Sequence, residues 1–209
     1  MSAYEQRSPE WFLARAGKFT GSKFVDLMAR NKKTGGKLAS WDNLIWQVVC
    51  ERLTGTCKDS IDAASLRWGR ECEPYAERQY EISTGNIVVP APFVVHQKYD
   101  FVGASPDGFV GVDGLREMKC PKDTKIHLLR LLDGMEEEHL PQIQGQLWCT
   151  DRKYCDFYSY DPRLEDEKQR EFLFTVKRDD EYIAMLEKSV LEAEADANEL
   201  IAKIRKKTA

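Results

Sequence analysis

Apolar residues recur at three- and four-residue steps along several stretches of this chain, which predicts amphipathic helices. The stretch 40–53 places Trp41, Leu44, Ile45, Val48 and Val49 on one face. The stretch 179–207 carries a stripe of Met185, Leu186, Val190, Ala193, Ala197, Leu200, Ile201 and Ile204. It reads as a long terminal helix packed on the core or on another subunit. Ser8-Pro9-Glu10 opens a helix through Arg15: Ser caps, Pro takes the first helical position, and an acid sits in the first turn. Gly17 closes it. Further helices are expected over 23–29, 63–83, part of 122–133, and 140–150.

Strand patterning fills the middle and later chain. Residues 101–121 (FVGASPDGFVGVDGLREMKCP) read as a β-hairpin with strands at 101–104, 109–112 and 115–120. Ser105-Pro106-Asp107-Gly108 and Asp113-Gly114 supply the turns. Residues 87–95 form an edge or bent strand, because Pro90 and Pro92 interrupt the ladder. Two more strands are expected at 154–160 and 172–176. No repeat, low-complexity linker or break divides the 209 residues, which predicts a single domain over 1–209.

The chemistry concentrates in 101–121. Side chains alternate faces along a strand, so Glu117 and Lys119 share one. Asp107, just past the preceding strand, can reach that face. Other acid-x-Lys pairs, such as Asp123 with Lys125, read as solvated surface charge. Glu117 and Lys119 differ because they lie inside an apolar strand, where a charge costs desolvation unless it is paired or metal-bound. Two carboxylates and an ammonium at one spot suit a hard divalent cation such as Mg²⁺.

Other positions carry two readings each. Arg15, Thr20 and Ser22 form an anion pocket at a helix start, or Thr20 and Ser22 merely cap that helix, the commoner role. Glu73, Glu77 and Glu81 lie four apart, as an exposed acidic face or with Glu73 turned toward the metal site. Gln142 is a surface glutamine or holds a water or phosphate oxygen. The basic loop 30–37 (RNKKTGGK) is a mobile surface loop, or a flap in which Lys32 and Lys33 grip or split a duplex end. Glu136, Glu137 and Glu138 read as a solvated run.

The net charge of −4 excludes polyanion binding through bulk charge, so distribution decides. Eight Lys and Arg face three acids in residues 1–37, and four more bases fall in 203–207. Local basic patches on a mildly acidic protein fit a nuclease whose metal site needs acids. None of the six cysteines forms C-x-x-C, and the three histidines lack zinc spacing. With no signal peptide or long apolar span, the expected setting is cytoplasmic, with reduced cysteines and no membrane contact.

Together these motifs resemble the bacteriophage lambda exonuclease family of alkaline 5′→3′ exonucleases, within the PD-(D/E)xK nuclease superfamily. The resemblance rests on Trp11-x-x-x-Arg15-x-Gly17 with Thr20-x-Ser22, Trp68-Gly69 through Glu73, Ser105-Pro106-Asp107-Gly108, Glu117-Met118-Lys119-Cys120-Pro121, and Gln142-x-Gln144 through Trp148. It implies an α/β fold with a central mixed β-sheet flanked by helices, a restriction-endonuclease-like nuclease core. It implies Mg²⁺, with Mn²⁺ as substitute, held by Asp107, Glu117 and the Met118 carbonyl, with Glu73 binding a second ion or its water. Lys119 would position or activate the attacking water and Gln142 would order it. Arg15, Thr20, Ser22 and Ser105 would hold the 5′-terminal phosphate. Lys125 stands where the family has an arginine, a point charge in place of a bidentate fork.

The implied function is degradation of one strand of linear double-stranded DNA to 5′-mononucleotides, leaving a 3′ overhang for phage-type recombination. Members form homotrimer rings around DNA and work with a single-strand annealing protein. Two alternatives stand beside this: an endonuclease on the same core, and a DNA-binding protein without catalysis.

Overall fold

The computed structural model describes residues 6, 8–57 and 64–208. Its first half runs α1 (Pro9–Arg15), β1 (Phe19–Thr20), a 3₁₀ turn (Gly21–Lys23), α2 (Phe24–Met28), α3 (Ala39–Thr54) and α4 (Ala64–Thr84). Short strands follow: β2 (Val88–Val89), β3 (Val94–Val95), β4 (Val102–Ala104), β5 (Gly108–Val110) and β6 (Gly114–Lys119). The chain closes with α5 (Thr124–Asp133), α6 (Leu140–Thr150), β7 (Tyr154–Tyr160), β8 (Glu171–Lys177) and α7 (Asp180–Thr208).

The central sheet is mixed and has the order β2-β5-β6-β7-β8, with β6 and β7 parallel and the other pairs antiparallel. A second sheet, β1-β4-β3, lies beside it. Helices cover both faces of the central sheet. Leu115, Cys155, Phe157 and Val176 pack with Ile143 and Leu147 of α6. Val110, Tyr158 and Tyr160 pack with Ala76 and Tyr80 of α4. Burial on both faces explains why β7 has no polar alternation to read. The parallel β6–β7 pair needs a long crossover, and α5 and α6 supply it.

A third cluster joins α2, α3 and α7 to the small sheet through Phe19, Phe24, Trp41, Val102, Leu186 and Val190. Each such large apolar side chain contributes about 1.5–3 kcal/mol on burial. Leu186, Val190, Ala193 and Ala197 of the predicted stripe are fully buried, but Met185 is 55% exposed and does not belong to it. Helix α6 comes close to α2 at Gly145. A Cβ there would lie 2.1 Å from Phe24 Cδ2 and 2.2 Å from Cε2.

Several sequence expectations need correction. The stretch 101–121 is not one hairpin: β4 and β5 belong to different sheets, and residues 105–107 cross between them. Only β5 and β6 pair as a hairpin. Val112 is solvent-exposed turn rather than strand. The stretch 87–95 splits into β2 and β3, one in each sheet, with both prolines between them. Thr20 makes no capping hydrogen bond, and α2 starts only at Phe24. Glu136 is not a free solvated acid, because Arg130 Nε donates to both its carboxylate oxygens at 3.1 and 2.9 Å. Among the described residues no helix is long and apolar enough to cross a membrane, and all six cysteines are free thiols.

Candidate active site

Strand β6 carries the centre of the site. Glu117 leaves its α6-facing side and is 2% exposed. Burial of an ionised carboxylate requires donors. Lys119 Nζ and Gln142 Nε2 each donate to Oε1 at 2.6 Å, and Gln146 Nε2 donates to Oε2 at 2.6 Å. The two glutamines stand one turn apart on α6, so both reach down to the same acid. Charge-assisted bonds of this kind are the stronger class.

Asp107 arrives from the crossing peptide. Its Oδ2 accepts from Met118 N at 2.8 Å, and its own N–H donates to Arg116 O at 3.1 Å. Burial, then the neighbouring Glu117 charge, push its carboxyl up to about 7. Burial alone would push Lys119 down, but the Glu117 and Asp107 carboxylates more than reverse this and hold its ammonium above the usual lysine range. Facing those two carboxylates, Lys119 is a charged donor.

The donor set fits a hard divalent cation. All the acids offer oxygen, and a cation beside Asp107 would offset both the burial and the Glu117 charge that raise its carboxyl. Glu117 has about four lone-pair positions, and three hydrogen bonds leave one for a metal. Among the described residues no three His, Cys, Asp or Glu side chains converge tightly enough to cage an ion alone. The set is two carboxylates that a main-chain carbonyl and water could complete, a composition Mg²⁺ accepts because it keeps several waters. Glu73 of α4 lines a 230 Å³ cavity together with Asp107, Arg116 and Met118. Glu73 is half-buried at that cavity wall and does not form a tight acid triad with Asp107 and Glu117.

The second group forms around Arg15. This side chain, 7% exposed, ends α1. Its Nη1 donates to Ser105 Oγ at 3.2 Å and its Nη2 to Thr20 Oγ1 at 3.5 Å. Its guanidinium lies 4.1 Å from the centre of the Trp11 ring, and Trp11 Nε1 also donates to Ser105 Oγ at 3.2 Å. Beneath them Glu51 Oε2 accepts from Gly17 N at 2.9 Å and Oε1 accepts from Lys23 Nζ at 3.4 Å, which ties down the connection from α1 to the 3₁₀ turn. Of the four expected phosphate ligands, Arg15, Thr20 and Ser105 converge. Ser22 instead lines a 250 Å³ cavity with Gln142 and His139.

The outlying lysines do not join either group. Lys125 is exposed, and its N–H closes a local turn on Asp123 Oδ1. Lys32 and Lys33 are exposed in a turn closed by Asn31, whose Oδ1 accepts from Lys33 N. That turn is anchored to α7, through Arg30 to Ser189 and through Lys37 to Asp196. Gln142 is half-buried, and its Nε2 donates to the Glu117 carboxylate.

Sequence reasoning missed Gln146, Glu51 and Arg116 as site residues. Gln146 carried a signal, its four-residue spacing from Gln142. Arg116 carried the same signal as Glu117, a charge inside an apolar strand. Glu51 carried none, because an acid on α3 looks like any solvated helix residue.

The model of the YqaJ-like viral recombinase domain matches residues 10–153. An alkaline exonuclease, LHK-Exo from Laribacter hongkongensis, aligns at 39% identity over 96% of this chain and 98% of its own, with a TM-score of 0.87. The same protein in complex with dAMP aligns over the same shares at 39% identity with a TM-score of 0.88. A phage-related exonuclease from Haemophilus somnus 129PT shares the fold at 16% identity, over 90% of this chain and 96% of its own, with a TM-score of 0.72. No curated protein sequence matches the chain. With the acid site on β6, the arginine pocket beside it and these likenesses over nearly the whole chain, the protein belongs to the YqaJ-like viral recombinase family, among the alkaline exonucleases of the lambda type.

Proposed function

We propose that this protein is a divalent-cation-dependent 5′→3′ exonuclease that removes 5′-mononucleotides from one strand of linear double-stranded DNA. The observation that carries this reading is adjacency. Ser105, in the arginine pocket, and Asp107, in the acid site, are two residues apart on one peptide. A terminal phosphate held by Arg15 would lie beside the place where Asp107 and Glu117 meet.

Asp107, Glu117 and the Met118 carbonyl would hold Mg²⁺ or Mn²⁺, with Glu73 reaching it through water. Bound there, the cation supplies an acidified water and neutralises charge building on the phosphorus. Gln142 and Gln146 keep the Glu117 carboxylate in one orientation, so that the acid does not reorganise during reaction. Lys119, being charged, orients the nucleophile and stabilises the phosphorane-like transition state. The Arg15 guanidinium presents a planar fork to the 5′-phosphate, and the Thr20 and Ser105 hydroxyls add donors. Ser22, which lines a cavity with Gln142 and His139, would contact the DNA on that side of the site.

The family reading extends to a homotrimer ring around DNA, and to a single-strand annealing protein that takes up the 3′ overhang in phage-type recombination, in the cytoplasm. Lys32, Lys33 and Lys125 would then contact the duplex outside the pocket. Digestion of linear duplexes labelled at one end, with and without 5′-phosphate, tests the reading. The expected result is 5′-mononucleotide release that needs Mg²⁺, prefers the phosphorylated end and is abolished by Asp107→Ala. Equal cutting of closed circular DNA, or full activity of Asp107→Ala, would refute it.

A further inference from the structure

Arg116 is a buried charge that the chemistry above leaves unused. It precedes Glu117 on β6, so it projects from the opposite face, toward α4. The residue is 1% exposed. One nitrogen, Nη2, donates both to Glu77 Oε2 at 2.8 Å and to the main-chain carbonyl of Asp107 at 3.2 Å. Its Nε and Nη1 are buried without a hydrogen-bond partner. A guanidinium offers five donors; a fold that buries it and uses one nitrogen keeps it for its charge and its place.

The surroundings show what that charge faces. Glu73, Glu77, Asp107, Arg116 and Met118 line one 230 Å³ cavity. Three carboxylates share it with one guanidinium. Glu77 lies one turn beyond Glu73 on the same face of α4, so each acid could serve a cation there. Arg116 commits Glu77 and, through the same nitrogen, holds the main chain of Asp107.

On the reading that Asp107 and Glu117 hold a divalent cation, we propose that Arg116 is a positioning residue with two effects. It anchors the Asp107 main chain, which aims that carboxylate, and it captures Glu77, which limits the negative charge the cation meets. Breaking this one ion pair from its two ends therefore moves cation affinity in opposite directions. Arg116→Met frees the Glu77 carboxylate and tightens cation binding, while the loosened Asp107 slows cleavage. Glu77→Gln leaves the guanidinium uncompensated beside Asp107 and weakens cation binding. The double variant restores the cavity charge and returns affinity toward the starting value. A merely structural pair would shift both single variants the same way.

The test is Mn²⁺ binding to the full chain without DNA, followed by the electron paramagnetic resonance of free Mn²⁺. Wild type, Arg116→Met, Glu77→Gln, the double variant and Asp107→Asn are compared, with thermal melting as a check on folding. The expected shifts are roughly fivefold tighter for Arg116→Met, roughly fivefold weaker for Glu77→Gln, and within about twofold of wild type for the pair. Single-turnover cleavage at saturating Mn²⁺ should be about tenfold slower in Arg116→Met. Shifts of the same sign, or none, overturn the proposal. Should Arg116→Met not fold, Glu77→Gln carries the test alone: its side chain is 46% exposed, and unchanged affinity there overturns the proposal. If Asp107→Asn binds Mn²⁺ as wild type does, the metal-site reading itself fails, and the proposal falls with it at that variant rather than at the pair.

Discussion

Replacing Gly145 by Ala tests how α6 is held over the acid site. The new Cβ would stand 2.1 and 2.2 Å from two carbons of the Phe24 ring and 3.4 Å from Leu186 Cδ2. Carbon contacts settle near 3.5–4.0 Å, so ring and helix must part by about 1.4–1.9 Å. Phe24 is fully buried and cannot swing into solvent. Overpacking of this kind costs about 1–3 kcal/mol, and the better helix propensity of Ala returns up to about 1 kcal/mol. The net loss is roughly 0–2 kcal/mol, or up to about 8 °C in Tm for a chain of this size. The helix carries Gln142 and Gln146 with it, and both bond Glu117 at 2.6 Å. Displacement by about 1 Å at a catalytic acid can cost on the order of 100-fold in rate. Melting by scanning fluorimetry and single-turnover release from an end-labelled duplex read the two effects. Phe24→Leu in the Gly145→Ala background opens space and should restore part of each. A Gly145→Ala protein that melts at or above wild type and cuts at full rate would refute the close α2–α6 approach.

Gln146→Leu should lower cleavage by about 10- to 100-fold, the usual effect of losing a partner that orients a metal ligand. Its Tm should move little, because the lost bond to Glu117 is offset by removal of the buried Gln146 Oε1, which has no partner; full activity under single-turnover conditions would count against the role. Arg15→Lys keeps the charge but not the fork, so the ratio of cleavage rates for phosphorylated and hydroxyl 5′ ends should collapse toward one; an unchanged ratio would remove Arg15 from end recognition. His127 is fully buried; Gln169 O can only accept, so the neutral ring donates to it through Nε2 at 2.8 Å and accepts at Nδ1 from the Ser159 hydroxyl, whose oxygen also accepts from Arg130 Nη1 at 3.1 Å. Burial holds its imidazole below the usual range, so the stability it supplies is full above about pH 6.5 and is lost as pH falls through the lower folded value. Urea midpoints between pH 7.5 and 5 should therefore fall in wild type relative to His127→Gln, a comparison that cancels the other titrating groups; parallel curves would refute it.

The sequence revealed those parts of the fold whose signals are local. The cap Ser8 before Pro9, the start of α6 at Leu140 before Pro141, and the limits of β7 follow from residues adjacent in the chain. Glu117 and Lys119 were legible for the same reason, since a charge in an apolar strand is costly wherever the strand ends up. The division of residues 101–121 between two sheets was not legible. Ser105-Pro106-Asp107-Gly108 has the composition of a hairpin turn, and whether the flanking strands pair with each other or with distant partners depends on β1, β3 and β6. Ser22 and the lysines 32, 33 and 125 failed to gather for a related reason. Short-range spacing says which residues share a helix face, but not which loop that face meets.

The crossing at 105–107 also bears on how such a protein could change its habits. On the proposed function, one contact with the DNA end, Ser105, and one metal-holding acid, Asp107, hang on a single three-residue span whose two ends are each locked into a different sheet. A loop of its own could lengthen by a residue and adjust the stride; a span pinned at both ends cannot, without unzipping β4 or β5. Drift in this lineage should therefore spare the step length and fall on the outer turns, where the grip on the substrate can loosen or tighten without resetting the measure.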